Sequence, residues 1–223
     1  SVTGVQTCAL PILGMCISLL LAVMLDQKIA FRRFYRAAFF LPSITSMVVV
    51  AIVWQWIYNP DYGLLNYFLS LFGIKGPKWL LDANTSLISL AIVGIWKRAG
   101  YDMIIFLSGL QGISNSYYEA SMLDGANKWQ QFRYITLPML KPTTFFVFVM
   151  AVISSFQVFD QVMLMTKGGP GRSSSVLVHY LYQNAFQYFK LGYACAIAYL
   201  LFFIVMGVTV FNMRMEKSMR EIY

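Results

Sequence analysis

Residues 192–213 contain no Asp, Glu, Lys, Arg or His. Wound as an α-helix, that run reaches ~33 Å, enough to cross a hydrocarbon core of ~30 Å. Further apolar runs occupy 13–25, 39–58, 86–110 and 142–164, with short polar or basic stretches between them. The pattern predicts an all-α, polytopic membrane helix bundle of about five spans. Only 12% of residues are charged, against roughly 25% in soluble domains. The 223 residues leave no room for a sizeable soluble domain beside the spans. A net charge of +8 raises the prospect of nucleic acid, but the basic residues form no aromatic-laced patch. They lie between apolar runs, as loops obeying the positive-inside rule do. The partner that composition implies is membrane lipid, and no nucleic acid.

One stretch departs from this pattern. Residues 114–141 form a polar island, SNSYYEASMLDGANKWQQFRYITLPMLK. Ser116 and Glu119 have the S-x-x-E spacing of a capping box, which predicts a helix start at that point. Gly125 stands where a left-handed C-terminal cap would end the helix. Asn127 followed by Gln130 repeats the start signal, and Pro138 and Pro142 predict the close of a second helix. The island is expected to be two short helices joined at Gly125. An ordinary surface hairpin is the plainer alternative.

Within the island, Glu119-Ala120-Ser121, Asp124-Gly125-Ala126, Phe132, Ile135 and Leu137-Pro138 resemble the EAA motif of ABC importer permeases, with Ser121 in place of the motif's second alanine. Thr166-Lys167-Gly168-Gly169-Pro170 resembles the T-x-G-G-P signature that follows the fifth span in the carbohydrate-uptake branch, and the run from Phe186 to Ala194 is similar to that branch too. The resemblance implies a type I importer permease fold. It also implies three kinds of partner: a second permease, ABC ATPase subunits and an extracytoplasmic solute-binding protein. Glu119, Ala120, Ser121, Asp124, Gly125, Ala126, Leu137 and Pro138 would then couple the chain to the ATPase, with Glu119 supplying contacts and capping and Gly125 the turn. ATP hydrolysis would belong to the partner. The implied location is a bacterial or archaeal inner membrane, with the EAA-like loop and the C-terminus cytoplasmic.

Permeases of this family usually have six spans, so the chain would show the remainder of the second and then four more. Residues 2–12, VTGVQTCALPI, resemble a translated sequencing adapter. They are expected to be a non-native tail on a permease domain running from 13 to 223. An exported tail or signal peptide is the alternative, although no basic segment precedes the apolar run.

The span at 86–110 carries Lys97, Arg98 and Asp102. A bare charge at mid-membrane costs ~3 kcal/mol even on a lenient scale, so these side chains should face the bundle interior. Arg98 and Asp102 are four apart and able to pair. Lys97 and Arg98 either line a translocation path or form an internal ionic tie. Gln157 and Asp160 fall near the far end of the fourth run on one predicted helix face, as polar contacts for a substrate or as helix-end residues in water. Trp54, Trp56 and Tyr58 suit an interfacial belt, with sugar stacking as the alternative. The stretch 176–189 predicts an interfacial helix, and His179 a loop or interface residue.

The remaining patterns exclude more than they assign. Residues 166–175, TKGGPGRSSS, do not make a P-loop, because the lysine precedes the glycines and a membrane helix precedes the loop. Cys8, Cys16 and Cys195 are scattered and suggest neither disulfide nor zinc site. No residue pattern calls for a cofactor, a metal or a catalytic constellation. Ten basic residues lie on the side of 26–36, 114–141 and the C-terminus, against Lys75, Lys78, Lys167, Arg172 and Lys190 on the other. A secondary transporter or channel is the competing class, with Lys97, Arg98, Asp102 and Asp160 as its only intramembrane ionisable candidates.

Overall fold

In the computed structural model, residues 2–27 and 30–220 are described, with side chains described within 11–27 and 30–212 and at 214. The tail expected at 1–12 therefore falls largely outside the described side chains, as do Lys28, Lys217 and Arg220. All regular structure among the described residues is helical.

Helix α5 (Ser86–Gln111) is the axis on which both apolar clusters of the fold are built. Its 26 residues make ~39 Å at 1.5 Å each. Its N-terminal half contributes Leu90 and Val93 to one apolar cluster with Val50, Ala51, Tyr58, Val162 and Met165. Its C-terminal half contributes Met103, Phe106, Leu107 and Leu110 to a second cluster with Ala22, Leu25, Leu140 and Val147. Lys97, Arg98 and Asp102 lie between the two clusters.

The second cluster brings α1 (Val2–Asp26) alongside the C-terminal half of α5. The end of α1 then lies at the end of the bundle where α5 finishes. Arg36 donates from Nη2 to the Leu25 carbonyl at 3.0 Å, a cation on the last carbonyls of a helix.

The span expected at 39–58 is not one straight helix. Helix α2 (Arg32–Ile44) and helix α3 (Met47–Ile57) meet at 98°. Pro42 lacks the N–H that would hold the last turn of α2, and Thr45 is extended. The carbonyls freed at the corner are taken up from α5, as described below. After α3, helix α4 (Leu64–Leu71) sits against the first cluster through Leu65.

Beyond α5 come α6 (Asn115–Leu123), α7 (Lys128–Gln131), a π-helical turn (Phe132–Thr136), α8 (Leu137–Met139) and α9 (Lys141–Phe156). Pro138 does not close the second helix. It stands in the first turn of α8, and Pro142 in the first turn of α9, positions where the missing donor is tolerated. The π-helical turn lets the chain stay helical into Pro138, and the segment 128–139 bends by 62° into α9.

The run expected as one span at 142–164 breaks at residues 157–159 into α9 and α10 (Asp160–Met165). No Pro or Gly marks this break. Val162, Met165 and Val158 instead pack against α3, and Gln55 Nε2 caps the end of α10 by donating to Leu164 O at 2.9 Å. Helix α11 (Leu177–Tyr182) and a π-helical turn (Gln183–Gln187) lead into α12 (Leu191–Arg220). Among the described residues, Leu191–Asn212 of α12 is the one helix long and apolar enough to cross a membrane alone. The pair α2–α3 and the pair 128–139 with α9 qualify only if each bent pair is a single crossing.

Candidate functional site

The polar island is a two-helix element at the end of the bundle shared with Leu25, because Ile113, Leu140 and Tyr118 join the same cluster as Leu25. Its start differs from the expected capping box. The α6 N-cap is Ser114, whose Oγ accepts from the Ser116 N–H at 3.3 Å and lies 2.8 Å from the Ser116 hydroxyl. Ser114 thus takes the role expected of Ser116, and Glu119 is left exposed for other contacts.

The far end of α6 follows expectation. Gly125 has φ +77°. Its N–H donates to Met122 O at 3.1 Å, and the Ala126 N–H donates to Ser121 O at 2.9 Å. This is the Schellman arrangement, with Asp124 as the C-cap. The next helix opens with the expected capping box: Asn127 Oδ1 accepts from Gln130 N at 2.9 Å, and Gln130 Oε1 from Asn127 N at 2.8 Å.

Two ties hold the arms at a fixed angle. Gln131 Nε2 donates to Ser121 Oγ at 3.0 Å, and the Tyr118 and Thr136 hydroxyls are 2.9 Å apart. Ser121, the departure from the family's alanine, therefore has a bonding partner that an alanine lacks. No residue of α6 is buried. Its tip presents Met122 and a 91% exposed Leu123, with Trp129 and Tyr134 exposed on the second arm. Ala120, Asp124 and Leu137 are exposed as well, and Ala126 and Pro138 are half-buried.

The second sequence-predicted group lies at mid-helix. Lys97 Nζ donates to the carbonyls of Pro42, Ser43 and Thr45 at 3.1, 3.4 and 2.5 Å. Ser43 Oγ returns a bond to Lys97 O at 3.1 Å. The lysine thus satisfies the carbonyls exposed at the α2–α3 corner, a tertiary cap on a helix C-terminus.

Arg98 Nε donates to Asp102 Oδ2 at 2.9 Å, the expected i,i+4 pair, and Arg98 Nη1 donates to Ser154 Oγ on α9 at 2.6 Å. Asp102 is 2% exposed. Beside the group is a cavity of about 380 Å3, lined among others by Lys97, Arg98, Tyr101, Ser154, Ser155 and Gln161. Gln157 and Asp160 do not line it. They stand on either side of the α9–α10 break, both exposed, so they share no helix face. Asp160 begins α10, where a carboxylate favours the helix dipole. Ser154 and Gln161 join the cavity wall without belonging to any sequence motif. Their one signal in the sequence is polarity inside an apolar run, which periodicity alone does not assign to an interior face.

The T-x-G-G-P segment folds back on α11. Gly168 and Gly171 have φ +83° and +62°, and a Cβ at Gly168 would come within 2.5 Å of the His179 ring. Ser174 Oγ donates to Gly169 O at 2.6 Å, and Ser173 and Ser86 hydroxyls lie 3.1 Å apart, joining the loop to the start of α5. His179 is buried beneath this loop, 3.3 Å from Ser175 Oγ through Nδ1. It is neither a loop nor an interface residue, and burial holds its pKa below the ordinary histidine value.

Comparison with known proteins places this architecture. The family described as "Binding-protein-dependent transport system inner membrane component" matches residues 14–216. The chain is 38% identical over 207 residues to the probable ABC transporter permease protein YurN of Bacillus subtilis, covering 91% of this chain and 71% of that protein. It is 31% identical over 202 residues to the trehalose/maltose transport system permease protein MalF of Thermococcus litoralis, covering 90% and 68%. A crystal structure of a bacterial alginate ABC transporter, in complex with an alginate pentasaccharide-bound periplasmic protein, contains a chain that superposes with TM-score 0.89. Its identity is 25%, with 98% of this chain and 77% of that one covered. This chain spans about two thirds to three quarters of the length of these relatives. On the match across nearly its whole length, the chain belongs to the binding-protein-dependent transport system inner membrane components, the permease subunits of ABC importers.

Proposed function

We propose that this chain forms part of the membrane channel of an ATP-driven importer for a carbohydrate delivered by an extracytoplasmic binding protein, and that the 114–141 element couples it to the ATPase. A second permease and a pair of ATPase subunits complete the assembly. The EAA-like element and the C-terminus face the cytoplasm. The observation that carries the reading is the tip of α6, where Met122 and Leu123 stand unburied on a helix braced at both ends. A braced apolar tip transmits displacement, whereas a loose loop absorbs it. Closure of the ATPases pushes α6, and the push passes from Tyr118 to Thr136 and from Ser121 to Gln131, and so to α9 and the bundle. Glu119, Ala120, Ser121, Asp124, Gly125, Ala126, Leu137 and Pro138 shape this coupling surface.

The cavity beside Lys97 and Arg98 lies on the solute's path, with Arg98 and Tyr101 as its polar wall. Gln157 and Asp160 belong at the rim of that path. The carbohydrate class is supported by the substrates for which relatives are named, trehalose and maltose in one case and alginate in another. The bonding of Lys97 to three carbonyls, and of Arg98 to Asp102 and Ser154, gives both cations a structural role, which disfavours ion-coupled transport. Reconstitution with the partner subunits in proteoliposomes tests the proposal. ATP hydrolysis stimulated by the loaded binding protein, with uptake of its oligosaccharide, is expected. Uptake driven by an ion gradient without ATP would overturn it.

A further inference from the structure

Helix α4 presents its faces in the reverse of a soluble helix. Leu64, Tyr67, Phe68 and Leu71, spaced i, i+3, i+4 and i+7, are exposed, and Phe72 and Ile74 extend the stripe. The polar Asn66 points inward. Its Nδ2 donates to Pro60 O at 3.0 Å and Pro77 O at 3.4 Å, and its Oδ1 accepts from Trp79 Nε1 at 2.8 Å. A Cβ at Gly76 would meet the Asn66 amide, so this loop closes on Asn66 and the helix is held against rolling its apolar stripe inward. The stripe is therefore built to be outside.

Its position narrows what covers it. Leu65 packs on the cluster that contains Tyr58 and Leu90, at the N-terminal half of α5, away from α6. Only residues 58–63 separate α4 from α3, an apolar helix whose last turn exposes Trp56. The stripe thus continues the exposed apolar face of α3, formed by Val48, Val49, Ile52, Val53 and Trp56. Lys75 and Lys78 follow it, both exposed, with no ion pair to either among the described residues. An aromatic and aliphatic stripe with adjacent lysines fits a helix in the headgroup–acyl boundary, its ammonium groups at phosphate level.

We propose that α4 is an interfacial anchor, seated through Leu64, Tyr67, Phe68 and Leu71 in the phospholipid surface at the end of the bundle opposite α6. It fixes the depth of the α3–α5 connection and so the height of the α2–α3 corner that Lys97 holds. The anchor needs only that the chain is a membrane protein, and it stands apart from the coupling role of α6 and from the nature of the solute.

The test uses the full chain assembled with its transporter partners in nanodiscs of phosphatidylethanolamine and phosphatidylglycerol. Nitroxides are attached at Phe68→Cys, Leu71→Cys and Ser70→Cys with the native cysteines replaced by serine. Collisions with oxygen should exceed those with a water-soluble nickel chelate at 68 and 71, with the ratio falling at 70. A water-like ratio at 68 and 71 would overturn the anchor. So would shielding from both reagents, whether constant, as against a second permease, or appearing only on addition of the binding protein. If labelling disturbs assembly, Phe68→Trp in the otherwise native chain gives the same contrast. Lipids brominated near the glycerol backbone should quench more fluorescence than in the unsubstituted protein, and unchanged quenching would overturn the proposal.

Discussion

Gly100 is where α2 crosses α5 with no room between the backbones, so Gly100→Ala should loosen the α2–α3 corner as a unit. A Cβ at this position would lie 1.9 Å from Phe39 O, 2.7 Å from Phe39 C and 2.9 Å from Phe40 Cα. All three are backbone atoms, so no side-chain rotation relieves the clash. To reach ordinary contact at 3.4 Å, α2 must withdraw about 1.5 Å. The same displacement carries the Thr45 carbonyl, now 2.5 Å from Lys97 Nζ, beyond hydrogen-bonding range. Overpacking costs about 2 kcal/mol, and loss of bonds to a charged donor about another 2 kcal/mol. Together these lower the melting temperature of a chain of this size by roughly 10 °C. Thermal denaturation of the purified protein in detergent, followed by loss of the monodisperse peak, measures it. Lys97→Met should reproduce about half of the fall, and adding it to Gly100→Ala should cost less than the sum, because both act on one corner. An unshifted melting temperature in Gly100→Ala would refute the close crossing. Full additivity would refute the link between Gly100 and Lys97.

Asn127→Ala removes the side-chain cap on Gln130 N, which should cost about 1 kcal/mol and show as a small fall in melting temperature. No fall would mean that the capping box is not formed in solution. Gly125→Val forces a β-branched residue into φ +77°, a cost of roughly 1–2 kcal/mol. It should leave membrane insertion intact while abolishing the ATPase response to the binding protein, and normal coupled transport would count against the mechanism. Burial lowers the pKa of His179. Its contribution is therefore complete above the ordinary histidine value of about 6.5 and is lost as pH falls from there toward the depressed folded value. Hydrogen exchange of residues 166–175, corrected for intrinsic rates, should accelerate at mildly acidic pH, and His179→Asn should remove that dependence.

What the sequence made legible was local chemistry. Gly125, Asn127 with Gln130, and Arg98 with Asp102 each act within four residues, and each is found as spacing implied. The element 114–141 was visible because its polar composition contrasts with its surroundings. The corner at Thr45 was not, since the donor that makes it stable, Lys97, comes from more than fifty residues away. The break after Phe156 likewise follows from packing of Val158 and Val162 on α3, with no Gly or Pro to announce it. Ser114 displaced Ser116 as the cap because two serines within hydrogen-bonding distance compete for one helix start, and spacing to Glu119 does not decide between them. His179 looked solitary in the sequence because its cover, Gly168, reaches it only through the left-handed turns of the preceding loop.

Coupling through the tip of α6 is best tested by placing a photoreactive benzophenone amino acid at Leu123, the most exposed large apolar residue among the described residues, in the fully assembled transporter. Irradiation should join this chain to the ATPase subunit, and the yield should change between nucleotide-free and ATP-bound states. An adduct with lipid or with the binding protein, or a yield indifferent to nucleotide, would contradict the account.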